Sequence, residues 1–279
     1  MLSNAVATLN LDESVILTQS GAILTLQLNR PETRNAMNLN MVQAIQQVFS
    51  AIKTDTSIRA VIIRGSQGHF CAGGDIKDMA SLRHAALESG SNQPYVSFNR
   101  QFGAMLNQVE HAAQTVVVVL EGAVLGGGFG LACVSDVAIS THDAQFGLPE
   151  TSLGVLPAQI APFVLKRIGL TQARRLALLG MRFDGRTALA LGVVHEVVEG
   201  EDALFAALAR CVKQIQRTAP MASRATKALL HRSVNEVLDA SLDDLLDDAA
   251  QQFADAVSSE EGLEGTMAFV QKRPPNWVH

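Results

Sequence analysis

The stretch VVVVLEGAVLGGG, residues 116–128, decides the fold class. Its first five residues form an unbroken apolar run rich in β-branched side chains, which is typical of a strand buried on both faces of a sheet. Three glycines follow, and the apolar segment Phe129–Val134 after them is predicted to be helical. A buried strand, a glycine loop and a helix in this order predict one unit of an α/β fold.

The same order of elements precedes this stretch. Ala22–Leu28 alternates apolar and polar residues and predicts a strand. A helix is predicted from about Leu39, with Asn38 as its N-cap. Ala60–Arg64 is a second apolar strand, and it leads into a glycine-rich loop at residues 65–74. The repetition predicts an α/β architecture with its loops at one side of the sheet.

The 279 residues divide into two parts by their sequence character. Residues 1–200 carry the strands and glycine loops and predict an α/β domain. Segments 201–217, 220–233 and 236–257 are rich in Ala and Leu and predict helices. We therefore expect a helical C-terminal region over residues 201–279 that packs against other subunits.

Charge and cysteine content argue against several classes of protein. Charged residues make up 18% of the chain, below the roughly 25% of an average soluble chain, so a partner subunit is expected to cover part of the surface. The net charge of −5 and the absence of a Lys/Arg cluster argue against a nucleic-acid partner. Three scattered cysteines fit a reducing compartment, and no stretch resembles a signal peptide or a membrane span. We expect a cytoplasmic protein with no membrane partner.

Two glycine loops carry the candidate chemistry. Residues 70–77, FCAGGDIK, and residues 126–128, GGG, each leave main-chain N–H groups free to bind a ligand, the second at the start of a predicted helix. Facing each other, they could direct two donors at one oxygen that gains negative charge, which is an oxyanion hole. Taken singly, each loop could equally be a tight turn. Standard nucleotide, zinc and serine-nucleophile motifs are absent, so no metal and no separate cofactor is predicted.

Three segments together resemble the crotonase, or enoyl-CoA hydratase/isomerase, superfamily. FCAGGDIKDM at residues 70–79 is similar to its FxAGADIKEM segment, and GAVLGGGFGLACVSD at 122–136 to its GxxxGGGxELALxCD segment. AQFGLPETSLGVLP at 144–157 is similar to its AxFGxPExxLGxxP segment. The resemblance implies a crotonase-like spiral of ββα units with a helical trimerisation region. It also implies an acyl-CoA substrate, and a homotrimer or a dimer of trimers.

The resemblance assigns roles to individual positions. The oxyanion hole would consist of the N–H groups of Gly74 and Gly127. Further residues are expected to contact the acyl-CoA, with Lys77 near the CoA phosphates: Arg34, Ala36, Ala72, Asp75, Ile76, Lys77, Gly126, Gly130 and Pro149. Coenzyme A is thus expected as part of the substrate.

The catalytic carboxylates depart from the hydratase pattern. Two-glutamate hydratases carry one glutamate in GGGxE and a second twenty positions later. Here Glu150 is the second, and Gly130 stands in the first position. We expect Glu150 to transfer protons, its pKa raised by Phe146, Leu148 and Leu153. We expect Gly130 to leave open space and to spare a carboxylated acyl group a repulsive charge.

Three functions follow from this pattern. Segments FGLACVSDVAI and GVLPAQIAPFVLKRIGLTQARRLAL are most similar to the isohexenylglutaconyl-CoA hydratases of acyclic terpene breakdown, which favours hydration of a branched enoyl-CoA. A single glutamate also resembles some enoyl-CoA isomerases, so a double-bond isomerase is the alternative. A non-catalytic trimeric scaffold is less favoured. Binding of RNA through the 38–53 helix is disfavoured, because Lys53 is the only basic residue there.

Overall fold

The structure is a computed structural model that describes residues 2–236 and 242–278. Within the helices it describes only the backbone of residues 76–80, 83, 234–236 and 242–246. Part of the helix predicted at 236–257 therefore lies outside the described residues.

Nine strands and eleven helices are described. The strands are β1 Val15–Ser20, β2 Ile23–Leu28, β3 Ala60–Gly65, β4 Thr115–Leu120, β5 Ala123–Leu125, β6 Val137–Thr141, β7 Gln145–Gly147, β8 Arg182–Phe183 and β9 Glu196–Val198. The helices are α1 Asn4–Ala7, α2 Leu39–Ala51, α3 Ile76–Ser89, α4 Gln93–Glu110, α5 Gly127–Cys133, α6 Ala161–Leu179, α7 Gly185–Ala190, α8 Glu201–Arg217, α9 Pro220–Glu236, α10 Leu242–Ser258 and α11 Glu260–Val270. Two 3₁₀ helices, Pro31–Thr33 and Glu150–Leu153, add to these.

A six-stranded sheet forms the centre of the α/β part. Its strand order is β1-β2-β3-β4-β6-β9, and only the β1–β2 pair is antiparallel. Apolar side chains of β4 alternate between two cores. Val116, Val118 and Leu120 lie in the larger core, and Val117 and Val119 lie in a second core on the other face. Burial on both faces explains why this strand is apolar throughout.

A second sheet of three short strands has the order β5-β7-β8. Successive strands alternate between the two sheets. β4 and β6 pair in the large sheet, and the strands that follow each of them, β5 and β7, pair in the small sheet. After β3, the chain again turns to the small sheet, where Cys71 bridges to Val124 of β5. Successive ββα turns therefore stack into a spiral, and the expected fold class is confirmed.

Several sequence predictions agree with the structure to within two residues. Asn38 caps α2 by accepting a 2.9 Å hydrogen bond from Met41 N, and α8 has the predicted bounds. β1 was not predicted because it is an edge strand whose outer residues, including Ile16, are half exposed. α8 is part of the second core, where Leu204 and Ala207 pack on the large sheet. Among the described helices, none is long and apolar enough to span a membrane.

Candidate active site

The three loops singled out in the sequence lie side by side in the small sheet. Cys71 pairs with β5 through two main-chain bonds, Cys71 N to Ala123 O at 2.8 Å and Leu125 N to Cys71 O at 2.9 Å. On its other edge, β5 pairs in parallel with β7, and Gly126 N donates to Gly147 O at 2.9 Å. Residues 70–75, 126–128 and 147–150 therefore leave neighbouring strands at one end of this sheet.

The first two loops touch each other at their glycines. A Cβ at Gly73, where φ is +105°, would lie 3.3 Å from Leu125 O. At Gly126, where φ is +50°, a Cβ would lie 3.7 Å from the Gly73 Cα. Both the positive φ values and the close approach of the two backbones require glycine. The loops that the sequence analysis paired are thus brought together.

Gly74 presents its main-chain polar groups to open space. It forms a parallel bridge with Met37, in which Met37 N donates to Gly73 O at 2.8 Å and Asp75 N donates to Met37 O at 2.9 Å. In such a bridge the central residue directs its own N–H and C=O away from the partner strand. Gly74 is exposed, and no atom lies within 4 Å of the position that its Cβ would take. Its N–H is therefore not used in the pairing with Met37.

Gly127 is the first residue of α5, so its N–H has no acceptor within the helix. The positive end of the helix dipole adds to the attraction of this N–H for a negatively charged oxygen. The wall beside it is apolar, because a Cβ at Gly127 would lie 2.7 Å from Phe102 Cζ and 3.1 Å from the Met37 terminal methyl. Apolar surroundings of this kind strengthen any hydrogen bond that the N–H makes.

Glu150 begins the 3₁₀ helix that follows Pro149 and lies against the second glycine loop. Its Oε1 would be 2.8 Å from a Cβ at Gly126, so only glycine admits the carboxylate at this distance. Its Oε2 is buried and has no hydrogen-bond partner within the described part of the chain. Burial is the main cause that raises the pKa of Glu150 above its ordinary value. One oxygen of this partly buried carboxylate is thus left without a partner beside the second glycine loop.

The expected direction of that pKa shift and its cause, burial, are confirmed, and the share of Phe146 and Leu148 in it stays a prediction. Phe146 and Leu148 are fully buried in the larger core close to Glu150 in sequence. Leu153 is 69% exposed, so the prediction that it helps to desolvate Glu150 was wrong. The 3₁₀ helix turns its side chain outward.

Gly130 does not leave open space, and that prediction was wrong. Gly130 is buried, and a Cβ there would lie 2.3 Å from Ile160 Cγ2 and 3.3 Å from a Leu106 methyl. Ile160 comes from the turn before α6, thirty residues away in the sequence. The volume of a side chain at position 130 is already filled by apolar carbon.

The residues expected along the CoA groove lie on the outer side of the first loop. Arg34 is exposed with φ at +53°, and its carbonyl accepts from Ala72 N at 3.0 Å. Ala36 is buried, and its carbonyl accepts from Arg30 Nη1 at 2.6 Å. The Asp75 carboxylate is 8% exposed and accepts from Arg30 Nη2 at 2.7 Å. Arg30 therefore stabilises this part of the first loop by bonding to both Ala36 and Asp75.

The backbones of Ile76 and Lys77 begin α3 next to Asp75. Their side chains lie outside what the structure describes. The expectation that Lys77 lies near the CoA phosphates stays a prediction.

Asn35 organises the groove and was not given a role by sequence reasoning. It is fully buried at φ +57°. Its Oδ1 accepts from Arg30 N at 2.8 Å, and its Nδ2 donates to the carbonyls of Ser66 at 3.0 Å and His69 at 2.6 Å. The amide thus joins the Arg34 turn to the loop that leads to Gly74. Asparagine is one of the few residues that tolerate such a φ, which is the one sequence signal that could have indicated it.

Comparisons with known proteins agree with this geometry. A family model described as enoyl-CoA hydratase/isomerase matches residues 18–279. The solved structure of Pseudomonas aeruginosa AtuE is similar at a TM-score of 0.91 and 56% identity, covering 96% of this chain and 100% of that one. An enoyl-CoA hydratase/isomerase from Marinobacter aquaeolei has a TM-score of 0.90 and 52% identity, with coverage of 96% and 100%. The mitochondrial methylglutaconyl-CoA hydratase of Mus musculus is 29% identical over 93% of this chain and 80% of its own length.

Proposed function

We propose that this chain, which belongs to the enoyl-CoA hydratase/isomerase family, adds water to the double bond of a branched, glutaconyl-type enoyl-CoA. The observation that carries the proposal is the buried Glu150 carboxylate against Gly126, with an unpaired oxygen next to two loops that present free N–H groups. An acyl-CoA thioester has the two functional groups that such a site serves, a carbonyl oxygen and an adjacent double bond.

The N–H groups of Gly74 and Gly127 are assigned to the thioester oxygen. When water adds to the β-carbon, the electrons of the double bond move toward the carbonyl, whose oxygen becomes an enolate. Two preorganised donors stabilise that charge more strongly than they stabilise the neutral carbonyl. Gly74 contributes through its outward N–H and Gly127 through the start of α5.

Glu150 is assigned both proton transfers. As a carboxylate it accepts a proton from water while the water oxygen bonds to the β-carbon. The protonated Glu150 then gives its proton to the α-carbon, and the enolate returns to a thioester. The net change is one water added, and the carboxylate is regenerated. A pKa raised by burial suits this exchange, because the group must accept and release a proton in one cycle.

Substrate binding is assigned to the outer face of the first loop. We propose that Arg34, Ala36, Ala72 and the backbone around Asp75 line the CoA groove, with Ile76 and Lys77 beyond them. Gly126 and Pro149 line the acyl side through the backbone, whereas Gly130 is packed against Ile160 and does not face the acyl group. Coenzyme A is part of the substrate, and no other cofactor enters the proposal. In the described residues, no three or more His, Cys, Asp or Glu side chains are grouped to hold a metal ion.

The branched acyl group is the finer part of the proposal. It is supported by similarity to a relative whose name specifies methylglutaconyl-CoA and by another named for mevalonyl-coenzyme A. Both acyl groups carry a methyl branch. Glycine in place of a glutamate at position 130 suits an acyl chain with its own carboxylate, since a second protein carboxylate would repel it.

A double-bond isomerase is the second candidate. The observation that favours it is that position 130 holds a glycine packed against Ile160 instead of a second glutamate. One carboxylate in such surroundings can remove a proton from one carbon and return it to another. Incubation with a panel of branched and straight enoyl-CoAs, followed by mass measurement of the products, separates the two. A gain of one water supports hydration, and altered absorbance at unchanged mass supports isomerisation.

We also propose that the chain assembles as a trimer or a dimer of trimers through the region after residue 200. Large apolar side chains stand exposed there and around α6, as on a surface made for a partner. Examples are Leu156, Leu170, Leu178, Leu179, Phe253, Phe269 and Val270, each at least 60% exposed. Burial of these side chains between copies of the chain would be the main source of assembly energy. A scaffold without catalysis is less favoured, because it gives no reason for the unpaired Glu150 carboxylate.

A further inference from the structure

The segment from Glu150 to Ile160 touches α5 at both of its ends. At one end, Glu150 Oε1 would be 2.8 Å from a Cβ at Gly126. At the other, Ile160 Cγ2 would be 2.3 Å from a Cβ at Gly130. Gly130 N donates to Gly126 O at 2.9 Å, so the two glycines lie one helical turn apart on the same face. Each glycine thus receives one end of this segment.

At the Ile160 end, neither the side chain nor the main chain of Ile160 can move freely. Ile160 is 3% exposed, and its β-branched side chain has a restricted χ1. Its main chain is fixed as well, since Ile160 N donates to Pro157 O at 3.2 Å and Val164 N donates to Ile160 O at 3.0 Å. Leu106 of α4 closes the third side, 3.3 Å from the Cβ position of Gly130. Any atom added at position 130 must therefore move Ile160 and the chain that carries it.

At the other end of the segment, hydrogen bonds hold the turn that carries Glu150. Val155 N donates to Glu150 O at 3.0 Å, which closes the turn after the carboxylate. Thr151 Oγ1 donates to Ala177 O at 2.7 Å and ties the same turn to α6. α6 begins one residue after Ile160 and is interrupted at Gly169, where φ is +73° and ψ is +161°, so it does not link Ile160 rigidly to Ala177. A shift of Ile160 would reach the turn that carries Glu150 along the 150–160 segment itself.

We propose that Ile160 and Gly130 form a positioning pair, which fixes the 150–160 segment on α5 and so sets the distance between the Glu150 carboxylate and the Gly127 N–H. The proposal rests on the proposed function, in which these two groups act on one thioester. Ile160 does not act on the substrate itself. Glycine at position 130 is then required by packing, in place of the open space expected from the sequence.

The experiment compares variants of the pair by steady-state kinetics with a branched enoyl-CoA. Gly130→Ala is expected to lower kcat about 10-fold while KM stays within about threefold, because a misplacement below 1 Å affects the reacting groups more than the CoA contacts. In Gly130→Ala/Ile160→Ala, the contact with Cγ2 at 2.3 Å is removed while the Ile160 Cβ stays 3.0 Å away, so relief is partial. We expect this double variant to regain at least about threefold of the lost kcat. Ile160→Val keeps Cγ2 and should remain within about twofold of wild type.

Gly128→Ala is the matched control on the same helix. A Cβ there would lie 2.5 Å from Cys71 O, which is backbone, and no atom of Ile160 is among its nearest contacts. Ile160→Ala should therefore fail to restore Gly128→Ala. If Ile160→Ala restores kcat in Gly130→Ala but not in Gly128→Ala, the effect comes from the contact between residues 130 and 160 and not from a general loosening of the core. If Gly130→Ala does not fold, the contrast between Ile160→Val and Ile160→Ala in kcat at unchanged KM decides the question.

Two results overturn the positioning pair. One is a Gly130→Ala enzyme with wild-type kcat, and the other is a double variant no better than Gly130→Ala. Glu150→Gln, measured beside them, separates this failure from failure of the proposed function. If Glu150→Gln is inactive and Gly130→Ala is unaffected, only the positioning role falls. If Glu150→Gln is fully active, the proposed function falls and the pair falls with it.

Discussion

Gly126→Ala tests whether the position of the Glu150 carboxylate matters for catalysis. The added Cβ would lie 2.8 Å from Glu150 Oε1, whereas ordinary contacts begin near 3.4 Å, so the carboxylate must move by about 0.6 Å to restore an ordinary contact. Since a 1 Å misplacement can cost about 10²-fold, we expect kcat to fall on the order of 10-fold. The positive φ of +50° adds strain, on the order of 1–3 kcal/mol.

Gly21→Ala is the control for backbone strain alone. Gly21 also has a positive φ, +55°, in the turn between β1 and β2, but no atom lies within 4 Å of its Cβ position. Both variants should lose Tm by several degrees, at about 2–4 °C per kcal/mol for a chain of this size. Only Gly126→Ala should lose kcat, measured at saturating enoyl-CoA by loss of the thioester-conjugated absorbance. Equal, wild-type kcat in both variants would refute the reasoning that places Glu150 at the reacting carbons.

Three further predictions follow from the site. Gly127→Pro removes one oxyanion donor and should lower kcat about 10²–10³-fold. Gly127→Ala meets the same Phe102 carbon but keeps its N–H, so its kcat should fall far less. Equal losses of kcat in the two variants would contradict the donor assignment. Burial raises the pKa of Glu150, and the carboxylate is the active form, so kcat should fall on the acid side at a pH above the ordinary glutamate pKa of 4.5. A pH–rate profile measures this fall in kcat, and a profile with an unshifted acid side would contradict the prediction. Light scattering should give the mass of a trimer or hexamer, and a stable, active monomer would refute the proposed assembly.

The fold could be predicted because each element has a local signature. β4 is apolar over its whole length, since both of its faces are buried, and Asn38 is a cap whose hydrogen bond the structure contains. The start of α5 was placed two residues late, at Phe129 instead of Gly127. Glycine is a poor helix former, so the pattern of apolar residues begins only after it.

The candidate site could be predicted in its parts but not in its contacts. The glycine loops and Glu150 carry recognisable motifs, and the structure places them together. The contact between Gly130 and Ile160 joins two elements thirty residues apart, and no local pattern indicates it. For the same reason the sequence suggested open space at Gly130 where packed carbon is found. Distances between loops depend on tertiary packing, which the residue pattern of either loop does not specify.

The most direct test of the proposed function follows the oxygen of water. A branched glutaconyl-type enoyl-CoA is incubated with the protein in water enriched in ¹⁸O, and the products are identified by mass. We expect the wild-type protein to form a product heavier by one water that carries the solvent oxygen. Glu150→Gln should form it at least about 10²-fold more slowly. A product of unchanged mass, or an undiminished rate with Glu150→Gln, would contradict the account.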